Sequence, residues 1–191
     1  MEFVIKIYQK VLEFFKELFA SKPAPVEVVE EEKSDKIVLE FEYRKSKPGC
    51  ASHRFCKKVM GDIVAETPEY QKVKVNKTLE YIYKEMIPKY GNKSLKKGVF
   101  HISYALQRAH EILNALLEKD GSIYNRNVVY LAVAAHDMDK NFTGKKYKHA
   151  EGSVAYIDSI SKELLAEGLI SDIDELENIK SMVLNHSECN T

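Results

Sequence analysis

An all-α bundle with an N-terminal appendage is the fold class that this 191-residue sequence predicts. Two observations carry the prediction. From Arg54 onward, segment after segment repeats its apolar residues at helical spacing, and the breaks fall on turn-forming pairs such as Tyr90-Gly91 and Asp120-Gly121. Upstream, an amphipathic segment is joined to that region by a stretch rich in proline and acid. The division that follows is a helix over 1–20, a linker or extended arm over 21–53, and a helical domain over 54–191.

The first segment places Phe3, Val4, Ile7, Val11, Phe14, Phe15 and Leu18 on one helical face. Charges at Glu2, Lys6, Lys10, Glu13, Lys16 and Glu17 leave no uncharged apolar centre for a signal peptide. The polar face mixes signs, so packing on its own domain or on a protein partner is favoured over an anionic membrane surface. Residues 21–36 read as a linker. In residues 37–43, Ile37, Leu39, Phe41 and Tyr43 alternate with Glu40 and Glu42, which fits a short strand or an extended peptide. Pro48-Gly49 marks a loop.

A helix is expected over Arg54–Glu66. Thr67 is the expected N-cap of the next, with Pro68 in its first turn and an end near Met86. The third runs over Phe100–Lys119, with Ile102, Ala105, Leu106, Ala109, Ile112, Leu113, Leu116 and Leu117 as its apolar stripe, and Gly121 stops it. Asn125 caps a fourth over Arg126–Lys140, whose centre VVYLAVAA is apolar all round and therefore central. After a polar loop at 141–148, a fifth spans His149–Gly168. Ser171 and Asp174 form the expected capping box of a sixth, over Asp172–Asn185.

Bulk properties exclude several classes. Lysine plus arginine and aspartate plus glutamate are equal at 29 each, which argues against a general nucleic-acid footprint. Three cysteines make no disulfide framework and suit a reducing, cytoplasmic setting. No apolar run of transmembrane length occurs. An oligomer is compatible with the sequence, which does not fix the oligomeric state.

The chemistry points to the histidines. Five of six lie in the second half: His101, His110, His136, His149 and His186. His101 and His149 open helices, while the His136-Asp137 pair and His186 close them. In an antiparallel bundle such ends meet. Imidazole and carboxylate ligands suit a divalent ion, whose bound water ionises near neutral pH and which polarises a phosphoryl oxygen. A bland alternative makes His136 an ordinary helix end, but Asp137 beside it opposes the helix dipole. His110 reads as a partly buried or surface histidine and as the reserve ligand. His149 and His186 fit ordinary helix ends equally well.

Cys50, His53 and Cys56 have zinc-like spacing, yet the only further cysteine, Cys189, is distant, so they read as free cysteines around a helix start. Lys93, Lys96 and Lys97 read as a solvated loop able to attract phosphate. Neither a glycine-rich phosphate loop nor a serine-nucleophile elbow is present.

The segment AVAAHDMDK resembles the signature of the HD superfamily of metal-dependent phosphohydrolases, a buried helix running into His-Asp. FHISYALQRAHEI is similar to the family's earlier His-bearing helix. FTGKKYKHAEGSVAYI and IKSMVLNHSE resemble the segments that follow the pair, so the likeness spans residues 98–188. It implies an HD-like bundle in which His101, His136 and Asp137 ligate a divalent ion: Mn, Fe, Zn, Ni, Co or Mg. It implies that Lys140 touches substrate phosphate, and that His149 and His186 bind substrate or a second metal.

Two departures stand out. Asp139 replaces the usual glycine before the lysine. The family's last Asp ligand lies on a later helix, and Glu188 is the nearest acidic candidate here, as in a truncated or degenerate member. The implied activity is hydrolysis of a phosphomonoester or phosphodiester in a nucleotide or nucleic acid. The alternative is a nucleotide-sensing or protein-binding module, with the first helix as docking element, or a piece of a DNA-processing system.

Overall fold

The computed structural model describes residues 51–89, 95–121, 123–138 and 149–186. Every regular element among them is helical and no strand occurs, as expected. The first helix, its linker, the possible strand, Cys50, Lys93, Lys140, Glu188 and Cys189 lie outside the described residues.

Helix α1 covers Ala51–Glu66. It begins before the expected Arg54, because its buried stripe of Cys56, Val59, Met60 and Ile63 continues back to Ser52. Helix α2 covers Glu69–Tyr81, and its N-cap is Pro68 rather than Thr67. Thr67 is buried and turns the other way, its hydroxyl donating to the Ile63 carbonyl at 2.6 Å. That oxygen belongs to the carbonyls a helix leaves unpaired at its C-terminus, so Thr67 serves α1.

After Tyr81 the chain widens into a π turn over Ile82–Met86 and tightens to a 3-10 turn over Ile87–Lys89. The expected length holds, but the geometry differs. Ile82, Tyr83, Met86 and Ile87 are all buried, so packing holds the altered turns in place.

Helix α3 covers Leu95–Asp120. It starts ahead of Phe100 because Val99 extends the buried stripe of Ile102, Leu106, Ala109 and Leu113. Lys96 and Lys97 therefore belong to a helix, not a loop, and His101 lies in its second turn instead of opening it. Gly121 ends α3 at φ +68°, a conformation that costs residues with a Cβ.

Helix α4 covers Arg126–Ala135, and all ten of its residues are buried. Asn125 caps it as expected, its side chain accepting from the Asn127 N–H at 3.2 Å. The helix stops at Ala135, short of Lys140, and His136-Asp137 form a turn beyond it. Helix α5 covers His149–Ala166 and closes at Gly168, with φ +63°.

Helix α6 covers Ile173–Asn185. Its cap lies one residue away from the expected Ser171/Asp174 box. Asp172 accepts from the Glu175 N–H at 2.9 Å, and Glu175 accepts from the Ser171 N–H at 2.7 Å. The other Glu175 oxygen accepts from the side-chain amide of Asn125. One carboxylate thus joins the starts of α4 and α6.

α4 is the centre of the bundle, packed against α2, α3, α5 and α6, while α1 lies along α3. This arrangement decides where the chemistry falls. α3 and α4 run antiparallel, so the early part of α3 meets the end of α4. The start of α5 and the end of α6 arrive at the same place. No described helix is long and apolar enough to cross a membrane.

Candidate metal centre

Four helices deliver four imidazoles and one carboxylate to this end of the bundle. His101 Nε2 lies 3.0 Å from His136 Nε2. His149 Nε2 lies 2.9 Å from His186 Nε2. Asp137 stands between the two pairs. Its Oδ2 is 3.6 Å from both His101 Nε2 and His136 Nε2. Its Oδ1 is 3.4 Å from His149 Nε2 and 3.7 Å from His186 Nε2. Two triads result, each able to hold one ion: His101, His136 and Asp137, and Asp137, His149 and His186.

The spacing passes a simple test. In both triangles, the point equidistant from the three corner atoms lies about 2.0 Å from each. Nitrogen and carboxylate ligands bind zinc at about 2.0–2.2 Å. Neither triangle needs to open or close for an ion of that size.

The tautomers agree with this geometry. His136 Nδ1–H donates to the Val133 carbonyl at 2.6 Å, and His186 Nδ1–H donates to the Val183 carbonyl. Both carbonyls belong to the last turn of a helix, where such oxygens lack backbone partners. With Nδ1 protonated, the neutral ring turns a lone pair on Nε2 toward the cluster. Burial pushes the His136 pKa down to about 3, helped by His101 and His186 and opposed by Asp137. His136 is therefore a neutral donor at pH 7.

Ser153 completes the support. It is fully buried on α5 and its hydroxyl donates to the His136 carbonyl at 3.1 Å. The sequence reading did not single it out. The only signal is that a small hydroxyl residue follows His149 by one helical turn, where a larger side chain would push α5 off α4.

Exposure sets the direction of approach. His136 is 2% exposed, whereas the His101 side chain is 45% exposed, so the cluster opens on the His101 side.

The structure brings together His101, His136, Asp137, His149 and His186, all five of the described residues expected there. It does not bring in His110, which is 2% exposed and lies along α3 beside Tyr130 and Arg126. The expectation of a partly buried or surface histidine is corrected, and its role as reserve ligand falls away.

Of the zinc-like trio, Cys56 is fully buried, with its Sγ 3.9 Å from the sulfur of Met60. Burial raises its thiol pKa to about 11, which disfavours the thiolate that a metal needs. His53 packs edge-on to the Tyr83 ring.

The chain matches no protein-family model, no curated protein and no solved structure. The case for this centre therefore rests on its own geometry.

Proposed function

We propose that this chain is a metal-dependent phosphohydrolase of the HD type, acting on a phosphomonoester or phosphodiester in a nucleotide or nucleic acid. The observation that carries the reading is Asp137, whose two oxygens face two separate pairs of imidazoles. A carboxylate shared in this way suits two divalent ions bridged by one side chain. His101 and His136 hold one ion, His149 and His186 the other, and Asp137 both. Imidazole-rich ligation favours Mn, Fe, Co, Ni or Zn over Mg. Bound ions supply a hydroxide near neutral pH and a positive field for the phosphoryl oxygens.

The side chains have distinct tasks in this reading. Val133 and Val183 fix the rings of His136 and His186 through their carbonyls. Asp137 offsets positive charge within a site that is largely closed to water. The half-exposed His101 borders the opening through which the ester enters. Lys140, following the HD resemblance, balances charge on the phosphate. The competing reading keeps the bundle and drops the chemistry, leaving a nucleotide-sensing or protein-binding module.

Metal analysis of the purified chain, combined with hydrolysis of bis-p-nitrophenyl phosphate, separates the two. Bound divalent metal and turnover, both lost in a His136→Ala Asp137→Ala variant, support the hydrolase. A folded chain that takes up none of the six metals rejects it, and metal uptake without turnover on monoesters or diesters favours the module.

A further inference from the structure

A second polar cluster lies in the α3–α4 interface and takes no part in the proposed chemistry. His110 is 2% exposed, Arg126 3% and Tyr130 0%. His110 Nδ1 lies 2.8 Å from the Tyr130 hydroxyl and 3.3 Å from an Arg126 N–H group. Its Nε2 lies 3.3 Å from the Glu66 carboxylate and 3.1 Å from the Asn114 amide nitrogen. Arg126 also donates to the Asn114 carbonyl oxygen at 2.8 Å. The two charged neighbours assign the tautomer: guanidinium only donates, so Nδ1 accepts, and carboxylate only accepts, so Nε2–H donates to Glu66. The Asn114 NH2 group, itself a donor, is a neighbour of Nε2 and not its hydrogen-bond partner; Asn114 joins the cluster through its carbonyl oxygen on Arg126.

The pairings follow one antiparallel register. His101 meets His136, His110 meets Tyr130 and Arg126, and Asn114 meets Arg126. Moving forward along α3 means moving back along α4. At about 1.5 Å per residue, the polar cluster sits roughly 9–20 Å from the metal triad along the same two helices.

α4 needs something directional to fix its axial position. Its buried surface is mainly valine and alanine, and apolar contact discriminates poorly between neighbouring registers. A slip of one turn moves a residue by about 5.4 Å, and far less would separate His136 and Asp137 from His101. Any such slip also strands buried polar groups, each at a cost of about 1–3 kcal/mol. Buried polar residues set register in other helical assemblies for this reason.

We propose that His110, Tyr130, Arg126 and Asn114 form a register key that sets α4 on α3 and thereby holds His136 and Asp137 at ligand distance from His101. They are positioning residues for the metal centre, and the inference rests on the proposed metal binding. The decisive variant is the apolar triple His110→Leu Arg126→Met Tyr130→Phe, since replacing buried polar partners together often leaves stability unchanged or higher, and the part-buried Asn114 can turn to water. Melting temperature then stays level, while cobalt affinity at the α3–α4 triad falls about 10–100-fold, the range typical of lost outer-shell support. Cobalt stoichiometry drops from two toward one, because two of the second site's three ligands, His149 and His186, lie on other helices and only Asp137 moves with α4, and the visible cobalt spectrum changes.

His110→Gln is the rescue control. Its carbonyl oxygen can accept from Tyr130 and Arg126 and its amide can donate to Glu66, so wild-type affinity and spectrum are retained. A triple variant with wild-type affinity, stoichiometry and spectrum overturns the key. A metal-free structure of the triple variant tests it separately from the metal reading. Displacement of α4 beyond about 0.5 Å supports the key, and superposition within that tolerance overturns it. Wild-type protein that binds no cobalt, with α4 displaced in the variant, sinks the metal reading and leaves the register role standing.

Discussion

Replacing Asp137 by asparagine tests the shared-carboxylate arrangement most directly. The carboxylate offers an anionic oxygen to each imidazole pair, at 3.6 Å on one side and 3.4 to 3.7 Å on the other. An amide keeps one oxygen and turns an NH2 group, which cannot ligate, toward the opposite pair. Asp137→Asn therefore empties one triad and weakens the other. At a free-metal level about 100 times Kd, one ion stabilises the fold by about 2.7 kcal/mol and two independent ions by about 5 kcal/mol. For a domain of this size each kcal/mol is about 2–4 °C in Tm, so wild-type protein gains roughly 10–20 °C on saturation. Asp137→Asn gains less than about half of that.

Scanning calorimetry with and without Mn or Co reads the shift, and elemental analysis counts the ions. His101→Gln and His149→Gln each disable one triad, so each retains a single ion and an intermediate shift. The arrangement is refuted if Asp137→Asn holds two ions with the full thermal gain. It is equally refuted if His101→Gln abolishes binding at His149 and His186.

Three further outcomes follow from the packing. The pKa of His110 is lowered by burial and by Arg126, against the opposing pull of Glu66. The unfolded chain then binds a proton that the folded chain resists, so this group costs stability as pH falls below the ordinary value of 6.5 and costs nothing above it. His110→Gln flattens that part of the acid limb in urea titrations of the metal-free protein, and an unchanged slope contradicts the assignment. Glu175→Ala removes bonds at two helix starts and lowers stability by about 1–2 kcal/mol, read as a fall in the urea midpoint without a change in m. Cys56 reacts with a thiol reagent only as fast as the chain opens, because it is buried with its pKa raised to about 11; rapid labelling of the native protein would disprove its placement.

The helices were legible where one physical signal acted alone. The apolar run VVYLAVAA announced a central helix, and Asn125, Gly121 and Gly168 marked boundaries through cap and turn chemistry. Boundaries failed where two signals competed. Thr67 has the chemistry of an N-cap, but the Ile63 carbonyl reached its hydroxyl first. Ser171 and Asp174 have capping-box spacing, but the extended backbone at Asp172 moved the cap by one residue. The π turn at Ile82–Met86 has no apolar pattern of its own to announce it, and Ile82, Tyr83 and Met86 are buried.

The site was legible as a set of residues and not as an arrangement. Helix ends named His101, His136, Asp137, His149 and His186, but only tertiary packing divides them into two pairs around one carboxylate. His110 was misjudged for a related reason: its partners Tyr130, Arg126 and Glu66 are distant in the chain, so nothing local shows that a buried histidine there is satisfied.

The tautomers give the cluster a consequence for folding as well as for chemistry. With Nδ1–H of His136 and His186 committed to carbonyls, their Nε2 lone pairs face His101 Nε2 at 3.0 Å and His149 Nε2 at 2.9 Å. The Nε2–H tautomer of a neutral His101 or His149 can bridge each pair by donating to the facing lone pair. A cation would take the place of that proton and accept both lone pairs at once. In the proposed two-ion centre the ligands would come from α3, from the end of α4, from α5 and from α6, so metal binding would tie together four chain segments that approach from separate directions. Metal affinity is then part of the folding free energy of the bundle. Metal removal should loosen the ends of α4 and α6 before the α1–α3 contact, a sequence that amide exchange with and without chelator can read residue by residue. Uniform loss of protection across all six helices would show that the ions add only global stability.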